Sequence, residues 1–238
     1  HILDRGHDVI ATSRSEEAPQ QFLAYERGRA SFERVDINSD IEALERIVRY
    51  FKPQVVANFS SQSMVAESWQ YPDHWIRTNI TSTLRLFSLF SNLRGLERFL
   101  HFSTPEVYGN CAGRIPETHS INPSTPYAVT RATGDFFGRI WAKHHSLPLV
   151  ITRAGNVYGE GQKLYRIIPR SIHYCHIGKR ITLDGGGVTR RNFVYGGDVA
   201  TALDVVLEKG EINDCYHISS PEYVSIRDLV ESIVVKSS

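Results

Sequence analysis

Apolar residues in this chain follow two periods in turn. Val9-Ile10-Ala11-Thr12, Val55-Val56-Ala57-Asn58-Phe59, Phe99-Leu100-His101-Phe102 and Leu149-Val150-Ile151-Thr152 are apolar blocks of strand length. The stretches between them carry helical spacing. Ile41, Leu44, Ile47, Val48 and Phe51 share one helical face, with Ser39-Asp40-Ile41-Glu42 as a capping box and Pro53 as the stop. A helix from about Asn79 turns Ile80, Leu84, Phe87 and Phe90 inward. Pro126 suits the first turn of a long helix capped by Ser124 or Thr125. Two late helices are predicted over 198–208 and 225–235, the second opened by Ser225-x-x-Asp228. Strands alternating with helices predict the α/β class, with a parallel sheet covered on both faces. The stretch 158–192 is less regular and predicts a smaller lobe.

Both ends read as cut. The first six residues resemble the last turn of a helix, closed by Gly6 at positive φ. The strand after them ends near Ser13 and Arg14. In a dinucleotide-binding βαβ unit the glycine fingerprint precedes that point by ~20 residues, which places it before residue 1. Gly185-Gly186-Gly187 comes too late, follows an Ile-Thr-Leu strand, and reads as a turn. Lys236-Ser237-Ser238 ends inside a helical pattern. The expectation is a piece of a longer protein.

Composition removes several classes of function. Of 238 residues 41% are hydrophobic and 22% charged, which is ordinary for a soluble domain. A formal net charge of +1 argues against a nucleic-acid or membrane partner. The histidines show no metal-ligand spacing, so no metal is expected. Cys111, Cys175 and Cys215 are odd in number and far apart, which reads as reduced thiols in a cytoplasmic protein.

Polar residues gather after the strands: Ser60, Ser61 and Gln62; Ser103, Thr104 and Glu106; Arg153 and Asn156. Ligands of open parallel sheets bind outside the carboxyl ends of the strands, so these groups predict one shared site. Singly, such residues also cap helices and stabilise turns. Tyr127 and Arg131 are four apart on one helix and point the same way. A cation beside a phenol favours the phenolate, which can take a proton from a sugar hydroxyl as a hydride leaves the same carbon.

Five motifs, in order, then carry a resemblance. They are Asn58-Phe59-Ser60-Ser61-Gln62-Ser63, Ser103-Thr104-Pro105-Glu106-Val107-Tyr108-Gly109, Ser124-Thr125-Pro126-Tyr127-Ala128-Val129-Thr130-Arg131, Thr152-Arg153-Ala154-Gly155-Asn156-Val157-Tyr158-Gly159 and Arg191-Asn192-Phe193-Val194-Tyr195. Together they resemble the extended short-chain dehydrogenase/reductase family, of the NAD-dependent epimerase/dehydratase kind. Within it they look like the nucleotide-sugar 4,6-dehydratases that act on dTDP-glucose or GDP-mannose. The resemblance implies a Rossmann-like doubly wound parallel sheet, its first strand and glycine loop missing, with a smaller discontinuous substrate-binding lobe. The NAD(P)-binding domain would be 1–157, joined by about 193–215, and the lobe 158–192 with 216–238.

The resemblance also implies roles. Tyr127 would take the proton from the sugar O4, Thr104 would hydrogen-bond that oxygen, and Glu106 would remove the C5 proton before water leaves from C6. Arg14, Asp36, Ile37, Phe59, Ser60, Ser61, Asn79, Tyr127 and Arg131 match positions around the cofactor. Ser63, Asn156, Arg166 and Arg191 match positions near the nucleotide sugar, Arg191 being suited to pyrophosphate. The family lysine is Arg131 here, which keeps the charge and changes the geometry. Pro105 stands where one dehydratase subgroup has an acid, so Glu106 would serve as base and acid. Ser13 and Arg14 replace the acidic residue that binds the ribose of NAD, which leans the cofactor toward NADP over NAD. A 4-epimerase, a ketoreductase or a non-catalytic nucleotide-binding member remain alternatives. Family members pair through a four-helix interface, for which 79–91 and 126–144 are the candidate helices, so a homodimer is expected.

Overall fold

The computed structural model describes residues 1–16 and 30–237. The chain runs β1 (Val9–Ser13), β2 (Ala30–Arg34), α1 (Ile41–Phe51), β3 (Val55–Asn58), α2 (Val65–Gln70), α3 (Pro72–Trp75), α4 (Thr83–Ser91), β4 (Arg98–Ser103), α5 (Pro126–His145) and β5 (Leu149–Ala154). It continues with β6 (Asn156–Tyr158), α6 (Ile167–His176), β7 (Arg190–Arg191), β8 (Phe193–Tyr195), α7 (Gly196–Lys209), β9 (Cys215–Ile218), β10 (Val224–Ser225) and α8 (Ile226–Ser237). These gather into two compact units, one of His1–Arg153 with Leu203–His217 and one of Ala154–Ala202 with Ile218–Ser238.

In the first unit β3, β4, β5 and β9 form a four-stranded sheet in that order, and β3–β4 and β4–β5 are parallel. β1 and β2 form a separate parallel pair, from Val9 against Ala30 to Ser13 against Arg34. Parallel neighbours need crossovers, which α4 and α5 provide. Every residue of β5 is buried, and so is most of β4, which is why both read as unbroken apolar runs. The strand expected at 55–59 stops at Asn58, and Val55, Ala57 and Phe59 are exposed. β3 is an edge strand of this sheet among the described residues.

The core of this unit forms where α1 and α4 meet the sheet. Leu44 and Val48 pack with Phe87, Phe90, Phe99, Leu149 and Ile151. The Phe99 ring centroid lies 5.6 Å from Phe87 and 5.4 Å from Phe90, good aromatic geometry. Asp40, rather than Ser39, caps α1, accepting the Ala43 N–H at 3.1 Å, and with Ala43 at the third helical position the expected capping box does not form. Thr125 caps α5 by accepting the Ala128 N–H at 3.1 Å, with Pro126 at the first helical position. On the inner side of α5, a Cβ at Gly138 would sit 3.1 Å from both Leu149 and Phe87, so glycine sets how closely the helix approaches. The expected helix from Asn79 begins earlier, because α3 runs into a π-helical stretch, Ile76–Ser82, before α4. The first six residues form hydrogen-bonded turns rather than a helix, with Gly6 at φ 93°.

In the second unit β6 and β8 are parallel and β7 and β10 antiparallel. α6 lies in the stretch expected to be irregular. Its Pro169 breaks the apolar pattern, yet the first helical N–H groups have no intrahelical partner, so proline fits there. Residues 181–183 are not a strand, and the glycine turn after them holds Gly185, Gly186 and Gly187 at positive φ. α8 starts as expected, with Ser225 Oγ accepting the Asp228 N–H at 3.0 Å. No helix among the described residues is long and apolar enough to cross a membrane.

Lys52 ends α1 in the left-handed region, φ 50°, where its N–H reaches the Val48 carbonyl at 2.9 Å. A non-glycine residue pays about 1–2 kcal/mol there, partly offset by the greater entropy that glycine loses on folding. Lys52→Gly is therefore expected to stabilise the fold by up to about 1 kcal/mol, read as a higher urea midpoint at unchanged slope.

Candidate active site

The chemistry-bearing turn starts where β4 ends. Thr104 is extended and caps a short 3₁₀ turn, Pro105–Tyr108, its side-chain oxygen accepting the Glu106 N–H at 3.3 Å. The Thr104 hydroxyl in turn donates to the Glu106 carboxylate. Pro105 fits the first position of that turn, because its fixed φ matches and its missing N–H is not needed. Gly109 closes the turn at φ 68°, and a Cβ there would strike the Asn122 carbonyl. Thr104 is buried and Glu106 exposed.

α5 brings the second pair. Tyr127 and Arg131 are both buried, 8% and 2% exposed. The Tyr127 N–H donates to Ser68 Oγ at 3.2 Å, which seats α2 against the start of α5. Arg131 reaches to the end of β4 and donates to the Phe102 carbonyl. Its Nε and Nη1, and the neighbouring Ser103 Oγ, are buried with no hydrogen-bond partner among the described residues.

The turn after β3 is shaped by two amides. Asn58 Oδ1 accepts the Ser60 N–H at 3.1 Å and also the Ser60 hydroxyl. Asn79 accepts the Gln62 N–H at 2.8 Å and donates to the Gln62 carbonyl and to Thr130 Oγ1, both at 3.0 Å. Thr130 Oγ1 donates to the Tyr127 carbonyl at 2.8 Å. Asn79 thus spends its amide on joining the 62 loop to α5. Phe59 lies 5.2 Å, ring to ring, from Phe102, while Ser61 and Ser63 are half-buried. Asp36 follows β2 and accepts the Asn38 N–H at 2.9 Å, and Ile37 packs against the core. Arg14 is exposed just past β1.

These contacts join Thr104 to Glu106, Arg131 to the end of β4, and Asn79 to the 62 loop and α5, all in the first unit. Asn156, Arg166 and Arg191 belong to the second unit. Asn156 donates to the Asn192 carbonyl at 3.2 Å, Arg166 stands over the Tyr165 ring at 5.4 Å, and exposed Arg191 donates to the Arg190 carbonyl at 3.0 Å.

Arg153 is not the strand-end ligand that its position implied. It is 2% exposed inside β5 and donates to Asp135 Oδ2 through Nε at 3.3 Å and Nη2 at 2.7 Å. Its Nη1 donates to the Tyr108 hydroxyl, which lies 2.7 Å from His217 Nε2. On the other side of Asp135, His101 Nε2 stands 3.6 Å from Oδ1, and His101 Nδ1 lies 3.3 Å from Asn58 Nδ2. Because Asn58 uses its oxygen on Ser60, its nitrogen is the donor, so His101 Nδ1 accepts and Nε2 carries the hydrogen. Burial first, and then the Arg131 and Arg153 cations, hold His101 well below the ordinary imidazole range. Sequence reading missed this network. Its signal was present: Tyr127, Arg131 and Asp135 recur every fourth residue on one helix, and His101 and Ser103 share one face of β4.

Residues 1–219 match the NAD dependent epimerase/dehydratase family model. The dTDP-D-glucose 4,6-dehydratase of Dictyostelium discoideum is 31% identical over 207 residues, covering 82% of this chain and 48% of that protein. This chain thus spans about half the length of the curated relative. A double mutant of DesIV, a dTDP-glucose 4,6-dehydratase from Streptomyces venezuelae solved with NAD and DAU bound, superimposes with TM-score 0.87 at 27% identity, covering 96% of this chain and 71% of that one. The UDP-glucuronic acid 4-epimerase of Bacillus cereus, solved with UDP-glucuronic acid and NAD, gives TM-score 0.87 at 26% identity over 98% of this chain and 76% of that one.

His101 and His217 both have their pKa lowered, chiefly by burial. Below about pH 6.5 the unfolded chain binds protons at these rings that the folded chain does not, so stability falls as pH drops, by at most about 1.4 kcal/mol per pH unit for each proton. Urea denaturation at pH 7.5 and 5.5 is expected to show this loss, and the loss is smaller in His101→Gln. A wild-type stability that does not change over that window contradicts the neutral assignment.

Proposed function

Since the chain belongs to the NAD-dependent epimerase/dehydratase family, we propose that it forms the catalytic core of a nucleotide-sugar 4,6-dehydratase. The observation that carries this reading is the Thr104–Glu106 pair, a hydroxyl hydrogen-bonded to a carboxylate in the turn after β4. Tyr127 belongs to the helix whose Arg131 is tied to the end of that same strand. A 4-epimerase needs no base for C5 at this turn, so the carboxylate favours dehydration over the epimerisation of the Bacillus cereus relative.

The residues present fit a nicotinamide dinucleotide. Among the described residues Arg131 Nε and Nη1 are buried without a partner, and Ser60 and Ser61 stand at the carboxyl end of β3, where such ligands bind. Arg14, Asp36, Ile37, Phe59, Asn79 and Tyr127 complete the set that would hold or shape it. A bound nicotinamide supplies reversible hydride storage, taken from C4 of the sugar and given back at C6. Tyr127 takes the O4 proton, and Thr104 orients that oxygen. The ketone acidifies C5, and Glu106 removes its proton. With Pro105 beside it offering no acid, Glu106 then passes that proton to the C6 hydroxyl, which leaves as water. The O4 proton taken up by Tyr127 balances the one that C5 regains. Ser63, Asn156, Arg166 and Arg191 are proposed to bind the nucleotide sugar, with Arg191 on the pyrophosphate. The exposed Arg14, without an acid at the strand end, supports NADP, whereas the solved relatives contain NAD.

A homodimer and a cytoplasmic location belong to the same reading. Val129, Phe136 and Ile140 are exposed on α5 at spacings of 7 and 4, one continuous apolar stripe. All three cysteines are free, as a reducing compartment allows.

Full-length protein incubated in turn with dTDP-glucose, GDP-mannose, CDP-glucose and UDP-N-acetylglucosamine is expected to convert one of them with loss of one water by mass spectrometry. Glu106→Gln is expected to slow that loss by about 10²–10⁴-fold. Isomerised sugar of unchanged mass would move the assignment to an epimerase. Phe136→Glu places a charge in the stripe and is expected to turn the dimer into a monomer by light scattering.

A further inference from the structure

The Glu106 turn is too short to hold itself in place. It is a four-residue 3₁₀ turn, a geometry with poor hydrogen bonds of its own. The Val107 N–H reaches the Thr104 carbonyl only at 3.4 Å, and the better bonds are Gly109 N–H to the Glu106 carbonyl at 3.0 Å and Asn122 N–H to the Val107 carbonyl at 2.9 Å. Its last residue, Tyr108, is anchored at long range instead. The ring is 3% exposed, and the hydroxyl meets Arg153 and His217. The Arg153 guanidinium also stacks on that ring, 4.8 Å from its centroid.

Arg153 has one counter-ion among its contacts, Asp135, and Asp135 is on α5, four residues beyond Arg131 and eight beyond Tyr127. The carboxylate is 0% exposed. A buried ion pair contributes little to stability compared with apolar groups of the same volume, because desolvating both charges offsets their attraction. It does fix geometry. The guanidinium is a rigid fork, with Nε and Nη2 on the carboxylate and Nη1 on the phenol, which a lysine ammonium cannot reproduce.

We propose that Arg153 is a positioning residue, which with Asp135 and Tyr108 clamps the turn carrying Thr104 and Glu106 to the helix carrying Tyr127 and Arg131. The role rests on the dehydratase reading, since it sets the base for C5 against the base for O4. The clamp keeps the two at a fixed separation while the sugar is worked on from both. Asp135 Oδ1 also faces His101 Nε2 at 3.6 Å, and His101 in turn meets Asn58, which holds the turn at Ser60.

Two conservative variants of the full-length protein test this. Tyr108→Phe removes one hydroxyl and keeps the ring in the core; Arg153→Lys keeps the charge opposite Asp135 and loses the fork. Amide hydrogen exchange without substrate is read at Glu106 and Gly109, and kcat and KM are read on whichever sugar nucleotide the parent dehydrates. Both variants are expected to exchange these two amides about tenfold faster, with kcat down about tenfold and KM changed by less than about twofold, the scale of one lost hydrogen bond to a charged group. Global melting is expected to stay close to that of the parent, and if Arg153→Lys melts early, Tyr108→Phe alone decides. Unchanged exchange in Tyr108→Phe overturns the clamp, and faster exchange with unchanged kcat overturns its role in positioning. A parent that dehydrates none of the four sugars sinks the dehydratase reading instead, while the exchange data still decide whether the clamp exists.

Discussion

Asp135 is a carboxylate with no access to water, and much of the first unit is arranged to satisfy it. An uncompensated charge at that depth would be neutralised or would unfold the domain. Arg153 answers it from the adjacent strand, and His101 faces its other oxygen from the next strand over. Both neighbours need a particular strand register: His101 sits opposite Ile151, and Ser103 opposite Arg153. Since side chains alternate along a strand, a slip of one residue would send the arginine to the far face and strand the carboxylate. The ion pair therefore selects one alignment of β4, β5 and α5, and the reactive groups inherit their places from it.

Around that centre the site divides its labour by element type. Rigid pieces carry the groups whose position matters: α5 holds Tyr127 and Arg131, and β4 delivers Thr104. Turns carry the more exposed polar groups, Glu106 and the serines after β3. Asn79 works between the two, with its amide committed to Gln62 and Thr130 rather than offered outward. The arrangement is one of supports and presenters, and the supports are the more deeply buried.

Much of this was legible from the order of residues. The four apolar blocks are strands, the caps at Thr125 and Ser225 are real, and the motifs around Glu106 and Tyr127 fall on a turn and a helix, whereas those at 152–159 and 191–195 lie largely on strands. Legibility failed where tertiary context overrides a local signal. Val55 is apolar, yet its strand lies at the edge of its sheet. Pro169 looks like a breaker, yet it sits where a helix has no N–H to lose. Arg153 looks like a ligand because it follows a strand-like run, yet a partner eighteen residues earlier draws it into the core. The helical spacing of Tyr127, Arg131 and Asp135 is visible in the sequence, but which strand residue answers Asp135 is settled only by tertiary pairing.

The π-helical stretch at Ile76–Ser82 has a consequence for how this segment can change over evolutionary time. An extra residue is accommodated there, and it keeps Asn79 turned toward Gln62 while Phe87 and Phe90 stay on the core side of α4. Each residue of an α-helix advances the winding by about 100°, so removing one would restore a regular spiral and swing everything upstream by that angle. Substitutions along the outer surface of this helix are then tolerated far more readily than any change in its residue count. Along α3 to α4 selection must therefore guard the residue count as well as inward side chains such as Asn79.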